Sequence, residues 1–372
     1  MYKENIEIED DSLILDIPKE KRNLNTASYD YSVGYLVSLM QGENPKIILE
    51  VPFQRNYIWK DERASTLIES IIINVPIPPL YFSEEEDGRW LVIDGLQRLN
   101  SLKRFYANEF GLKKLEIIKE FSDPISKTYI ELPPKAKSLL DDGLMRVIVI
   151  KKDSHKDIKF DIFMRLNKGA VSLNNQELRN CLYRGNLNNS VKKLVEDNKE
   201  FLAINGADKP DDRFEDVEFV LRYFAISENL SKNDKDEYFV NNFKGSLVKF
   251  LNDFMDNYAN SDSSKVNELI TKFNSAIEKA VKIFGIQHAF RDLTGNSTKI
   301  NRAIADYILV GFEKYEIVIL EKNKDLIISL FKRLITEDEK FKQAITQRTL
   351  SSFNLNYRIN TWIKELNNVI SI

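Results

Sequence analysis

Trp90-Leu-Val-Ile-Asp94-Gly95-Leu-Gln-Arg98-Leu99 changes periodicity in its middle. The first five residues are an almost unbroken apolar run, the pattern of a buried strand. From Gly95 onward, Leu99, Leu102, Phe105 and Tyr106 keep helical spacing. Gly95 breaks the strand and permits a tight turn. Strand, glycine and helix in so short a span point to mixed α and β architecture.

Upstream, Pro76, Pro78 and Pro79 forbid continuation of a helix predicted over 61–73 and open an extended segment over 80–83. Earlier still, Val33, Leu36, Val37 and Met40 predict a short helix over 31–40, and 47–49 reads as a strand. Downstream, 144–150 is apolar and β-branched, a strand, and Ile158, Ile162, Phe163 and Leu166 return to helical spacing. Asn174 with Glu177 three residues on is a capping pair opening another helix. Residues 111–143 give mixed signals and no order is predicted there.

Beyond about 186 the strand signal stops and amphipathic stripes recur, for example Val217/Val220/Leu221/Phe224 and Ile359/Trp362/Ile363/Leu366. The expected organisation is α+β: a polar N-terminal arm over 1–25, a domain over 26–185 with a small mixed sheet, and an all-α helical domain over 186–372. The formal net charge of −3 leaves no chain-wide cationic surface, so any contact with nucleic acid is local. Lys151, Lys152 and Lys156 form such a local group, readable as a DNA contact or as a solvated loop. One cysteine, Cys181, and two histidines, His155 and His288, exclude an internal disulfide and Cys/His zinc spacing. Residues 1–20 are acidic and carry no apolar run, and no apolar stretch has the roughly 20-residue length of a membrane span. The expectation is a soluble, cytoplasmic protein without a membrane partner.

Three clusters carry candidate chemistry. Gln54, Arg55, Tyr57 and Trp59 combine an arginine, an amide and two aromatics that suit base stacking or phosphate binding, or an arginine packed along aromatic faces. Asp94, Gly95, Gln97 and Arg98 sit at the strand–turn–helix corner. There a helix N-terminus and an arginine can bind phosphate, and Asp94 can orient water or metal or cap the helix. Arg165, Asn167, Lys168 and Gly169 precede Glu177. Asn167 and Glu177 offer the hard oxygens that Mg²⁺ accepts, or the whole group is a charged helix end with an Asn/Gly cap.

In order, Val51-Pro-x-Gln54-Arg55-x-Tyr57-x-Trp59, Ile93-Asp94-Gly95-x-Gln97-Arg98-Leu99 and Arg165-x-Asn167-x-Gly169 with Glu177-Leu-Arg-Asn180 resemble the N-terminal domain of GmrSD-type modification-dependent restriction enzymes. That domain is similar to the ParB/sulfiredoxin superfamily, and the motifs cover about 30–185. Arg213-Phe-Glu-Asp-Val-Glu-Phe-Val-Leu-Arg222 resembles the family's helical extension.

The resemblance implies a nucleoside triphosphate pocket with Mg²⁺. Asp94, Gln97 and Arg98 would be its catalytic group, and Asn167 with Glu177 would hold the metal. Leu96 departs from the D-G-Q-Q-R pattern where a glutamine is usual. It also stands where sulfiredoxins carry their reactive cysteine, which excludes that chemistry. An HNH nuclease domain needs histidines, and His288 among apolar neighbours reads as a packed residue, so that half is expected to be missing.

The leading expectation is a nucleotide-binding, NTP-hydrolysing sensor or regulatory component of an anti-phage restriction system that works with a separate effector. The alternatives are a metal-dependent nuclease centred in the ParB-like domain and a non-catalytic DNA- or protein-binding regulator.

Overall fold

A computed structural model describes residues 24–49, 59–166, 174–295 and 298–370. They fall into two compact units, one within Leu15–Leu173 and one within Asn174–Ile372.

The first unit runs β1 (Thr26–Ser32), α1 (Val33–Ser38), β2 (Ile47–Ile48), α2 (Asp61–Ile72), β3 (Leu80–Glu84), β4 (Trp90–Asp94), α3 (Leu96–Tyr106), α4 (Pro134–Asp141), β5 (Leu144–Ile150) and α5 (Lys156–Leu166). Two short 3₁₀ turns, Lys119–Phe121 and Tyr129–Glu131, lie in the stretch for which no order was predicted. The sheet has five strands in the order β1-β5-β3-β4-β2. Its pairings alternate between antiparallel and parallel, so it is a mixed sheet. Leu80, Phe82, Trp90, Val92, Val147 and Val149 form one side of a core closed by Leu67 and Ile68 of α2 and Leu99 and Leu102 of α3. Apolar residues at helical spacing on α2 and α3 can bury one face only against such a layer.

β1 corrects the expectation of a helix beginning at residue 31. Thr26–Ser32 is a strand along β5, with Tyr29 and Tyr31 less exposed than Ser28 and Asp30. The inward positions are tyrosines rather than aliphatics, which blurs the period of two. Ser32 Oγ then accepts from Tyr35 N and starts α1. Of the N-terminal arm, residues 24 and 25 are described. Asn25 bonds Ser154 and Asp153, and so is anchored to the sheet's far end.

The second unit is helical: α6 (Asn175–Leu182), α7 (Asn186–Asp197), α8 (Lys199–Ile204), α9 (Glu215–Asn229), then β6 (Leu230–Lys232) and β7 (Tyr238–Val240), then α10 (Leu247–Tyr258), α11 (Ser263–Phe284), α12 (Arg302–Phe312), α13 (Ile317–Lys322), α14 (Lys324–Glu337), α15 (Glu339–Thr346) and α16 (Ser352–Ile370). β6 and β7 form an antiparallel hairpin, where no strand was expected beyond 186. Asn233 Oδ1 accepts from Lys235 and Glu237 N to make its turn. By packing, α6 belongs to this unit. Trp362 on α16 is fully buried against Tyr307, Phe312 and Phe331. Gly311 makes room for it, because a Cβ there would lie 2.4 Å from the indole nitrogen. Among the described residues no helix is long and apolar enough to cross a membrane.

Candidate functional site

The corner between β4 and α3 has the geometry its sequence promised. Pairing of β3 with β4 shifts register between Phe82, opposite Val92, and Tyr81, opposite Asp94, so Ile93 is an extra residue. Such a bulge bends the strand end and re-aims the side chain that follows. Asp94 is left 41% exposed at the end of an otherwise buried strand. Gly95 adopts φ 103°, and a Cβ there would meet Leu80 Cδ2 at 2.2 Å, so both backbone and space demand glycine. Gly95 is the N-cap of α3, which carries no side-chain cap. The N-terminal amides of a helix so placed, with its dipole, favour an anion.

Arg98 is committed inward. Its guanidinium donates to the carbonyls of Pro78 and Pro79, the latter at 3.1 Å, and to Asp94 Oδ2 at 2.6 Å. The side chain is only 11% exposed. Burial lowers its pKa from the ordinary arginine value and the Asp94 carboxylate opposes that, so the group stays charged. Both terminal nitrogens therefore brace Asp94 and the proline segment entering β3. Leu96, the departure from the family pattern, is half-buried and packs on the core.

Gln97 links the corner to the first cluster, since its Oε1 accepts from Trp59 N at 3.3 Å. Trp59 rests against the core with the Arg63 guanidinium 4.4 Å from its ring centre. Gln54, Arg55 and Tyr57 lie outside the described residues, as do Asn167, Lys168 and Gly169. The structure thus brings together Trp59, Asp94, Gly95, Gln97 and Arg98. Arg165, on α5, pairs with Asp161 of its own helix at 2.8 Å.

Glu177, expected to hold metal, is fully buried in the other unit. Its Oε2 accepts from Asn174 N at 2.6 Å and from Arg213 at 3.1 Å, while Asn174 Oδ1 accepts from Glu177 N. This reciprocal cap starts α6 and uses the carboxylate structurally. Its Oε1 is buried and has no hydrogen-bond partner among the described residues, so the cap engages only one oxygen of the carboxylate. No group of three or more acidic, His or Cys side chains that would hold a metal occurs among the described residues.

The Arg213–Arg222 motif is likewise spent inside the helical unit. Glu218 receives Arg179 at 2.8 Å and Arg302 at 3.1 Å, and Asp306 is held between Arg222 and Arg358 with all three buried. His288 departs from expectation, because it is exposed. Gly285 ends α11 at φ 79°, and in the turn that follows Ala289 and Phe290 take the buried positions. His288 lines a cleft of about 770 Å³ with Phe284, Ile286 and Leu293. Lys151 and Lys152 face Glu84 and Glu86 at 3.3 and 3.8 Å, which offsets much of that local positive charge.

Arg63 and the proline carbonyls under Arg98 were not singled out from the sequence. An arginine four residues past a tryptophan carries no motif, and backbone acceptors have no residue signature.

A mixed-sheet α+β domain joined to a helical unit is the class this geometry defines. Residues 36–184 match the family model described as GmrSD restriction endonuclease, N-terminal domain. Over these residues the chain is similar to that domain. No curated protein and no solved structure matches the chain.

Proposed function

We propose that the β4–α3 corner binds a nucleoside triphosphate together with Mg²⁺, and that the chain is a sensor or regulatory component of a restriction-type defence against phage. The observation that supports this best is the conjunction at the corner. A half-exposed carboxylate, Asp94, is braced by a buried arginine beside an uncapped helix N-terminus whose glycine cannot be replaced. Asp94 balances the buried guanidinium and still keeps one oxygen without a hydrogen bond among the described residues, the kind of oxygen a metal–phosphate complex takes.

Mg²⁺ commonly binds through one or two carboxylates plus the phosphates of its ligand. Asp94 fits that role, since one of its oxygens carries no hydrogen bond among the described residues. The ion would supply charge neutralisation at the phosphates. Asp94 and Gln97 are the groups placed to orient a water, and Leu96 contributes none. Gln54, Arg55, Tyr57, Asn167, Lys168 and Gly169 are the further contributors proposed from the family pattern. In this reading the nucleotide state is passed to a separate effector. Any DNA contact is electrostatic and local.

A thermal-shift panel with the four triphosphates and Mg²⁺ tests this. A ligand at 100 times its Kd adds about 2.7 kcal/mol, a shift of several degrees. Asp94→Asn should abolish the Mg²⁺-dependent part of the shift and any phosphate release. No shift with any triphosphate would defeat the proposal.

A further inference from the structure

We propose that Arg63, in the first turn of α2, is the cation that grips the phosphates at this corner, and that it waits on the indole of Trp59 until a ligand draws it off. The inference rests on the nucleotide reading above and adds the residue that meets the charge.

Arg63 is exposed, and the acids beside it are already engaged. Asp61 receives Arg104 at 3.1 Å and Lys113 at 2.7 Å, and Glu62 pairs with Lys114 at 2.6 Å. These bonds hold both carboxylates below their ordinary pKa values. For Asp61 the hydrogen bond from Lys113 is the largest cause, and for Glu62 that from Lys114. They are ionised and committed at neutral pH. The Arg63 guanidinium makes no ion pair among the described residues and lies 4.4 Å over the Trp59 ring. Cation–π attraction at an exposed site is weak, and a phosphate offers the same planar fork a bidentate, charge-assisted partner.

The location is fixed by Trp59, whose backbone N–H donates to Gln97 in the first turn of α3. Arg98, the arginine that the motif nominates for this task, has both terminal nitrogens bound to Pro78, Pro79 and Asp94. Extracting it would break the corner itself. Arg63 can move at the loss of one ring contact, so the two arginines divide the work. Arg98 holds the carboxylate in place, and Arg63 meets the ligand.

The test is calorimetric titration of the full chain and its Arg63→Ala and Arg63→Lys variants, using each Mg²⁺-triphosphate and inorganic tripolyphosphate as probes. Arg63→Ala should weaken both kinds of probe by about tenfold or more. Arg63→Lys should recover part of that, and the melting temperature should not move. Ligand should also change the tryptophan emission of the wild type and leave that of Arg63→Ala unaltered. Equal affinity in wild type and Arg63→Ala overturns the inference while leaving nucleotide binding intact. So does a loss confined to nucleotides, because it would assign Arg63 to the base. Absence of binding by the wild type overturns both readings.

Discussion

Arg98 and Gly95 build the β4–α3 corner. Gly95 sits at φ 103° with Leu80 pressed against the place of a Cβ, so Gly95→Ala meets backbone strain and a side-chain clash together. The expected loss is on the order of 2–3 kcal/mol, read as a lower urea midpoint for the transition of the N-terminal unit. Arg98→Ala removes three hydrogen bonds from a charged donor and releases Asp94. It should cost a similar amount, on the order of 2–3 kcal/mol, in stability. Arg98→Lys should not restore it, since a single ammonium cannot reach three acceptors in the fork geometry. If Arg98→Ala weakened ligand binding with no change in the unfolding midpoint, its assignment to the scaffold would be wrong.

The elements of the N-terminal unit were readable where periodicity is strong. The strands over 90–94 and 144–150 and the helix after Gly95 were expected and are present. The strand over 26–32 was not, because tyrosines rather than aliphatics hold its inward positions and blur the period of two. The hairpin after α9 was missed because three-residue strands carry too little pattern to stand out. Of the site, Asp94, Gly95 and Gln97 were legible from motif and turn chemistry. The inward commitment of Arg98 was not, since its acceptors are mostly backbone carbonyls.

The Asn174–Glu177 cap was recognised as a pattern and also assigned to metal. The cap engages one oxygen of the Glu177 carboxylate and leaves the other without a hydrogen-bond partner among the described residues. Asn174→Ala should cost ~0.5–2 kcal/mol by removing the start of α6. Glu177→Gln should leave the Mg²⁺ dependence of any ligand binding unchanged, measured as affinity against Mg²⁺ concentration. A displaced curve would make Glu177 a metal ligand.

Across the molecule, charged side chains are buried in both units, Glu69 and Lys159 in the first and Arg179, Arg222, Asp306 and Arg358 in the second. Glu218 is held below the ordinary glutamate pKa of 4.5. Burial raises it, but the guanidinium groups of Arg179 and Arg302 outweigh that. A carboxylate with a depressed folded pKa contributes stability that is complete above its unfolded pKa and lost as pH falls through the folded one. Asp216 and Glu313 are raised by burial and act in the opposite sense, favouring the fold at low pH. The contribution of Glu218 is therefore isolated by difference. Wild type should exceed Glu218→Gln in melting temperature at pH 7, and the gap should narrow as pH falls below the ordinary value of 4.5. A gap independent of pH would mean that the ion pairs with Arg179 and Arg302 contribute nothing specific.

The function proposed for the N-terminal domain is binding of a metal–triphosphate complex. Calorimetric titration of the full chain with each of the four triphosphates, in Mg²⁺ and again in chelator, tests it most directly. We predict saturable one-site binding of at least one triphosphate that disappears when Mg²⁺ is removed. Absence of binding heat for all four in the presence of Mg²⁺, by correctly folded protein, would contradict it.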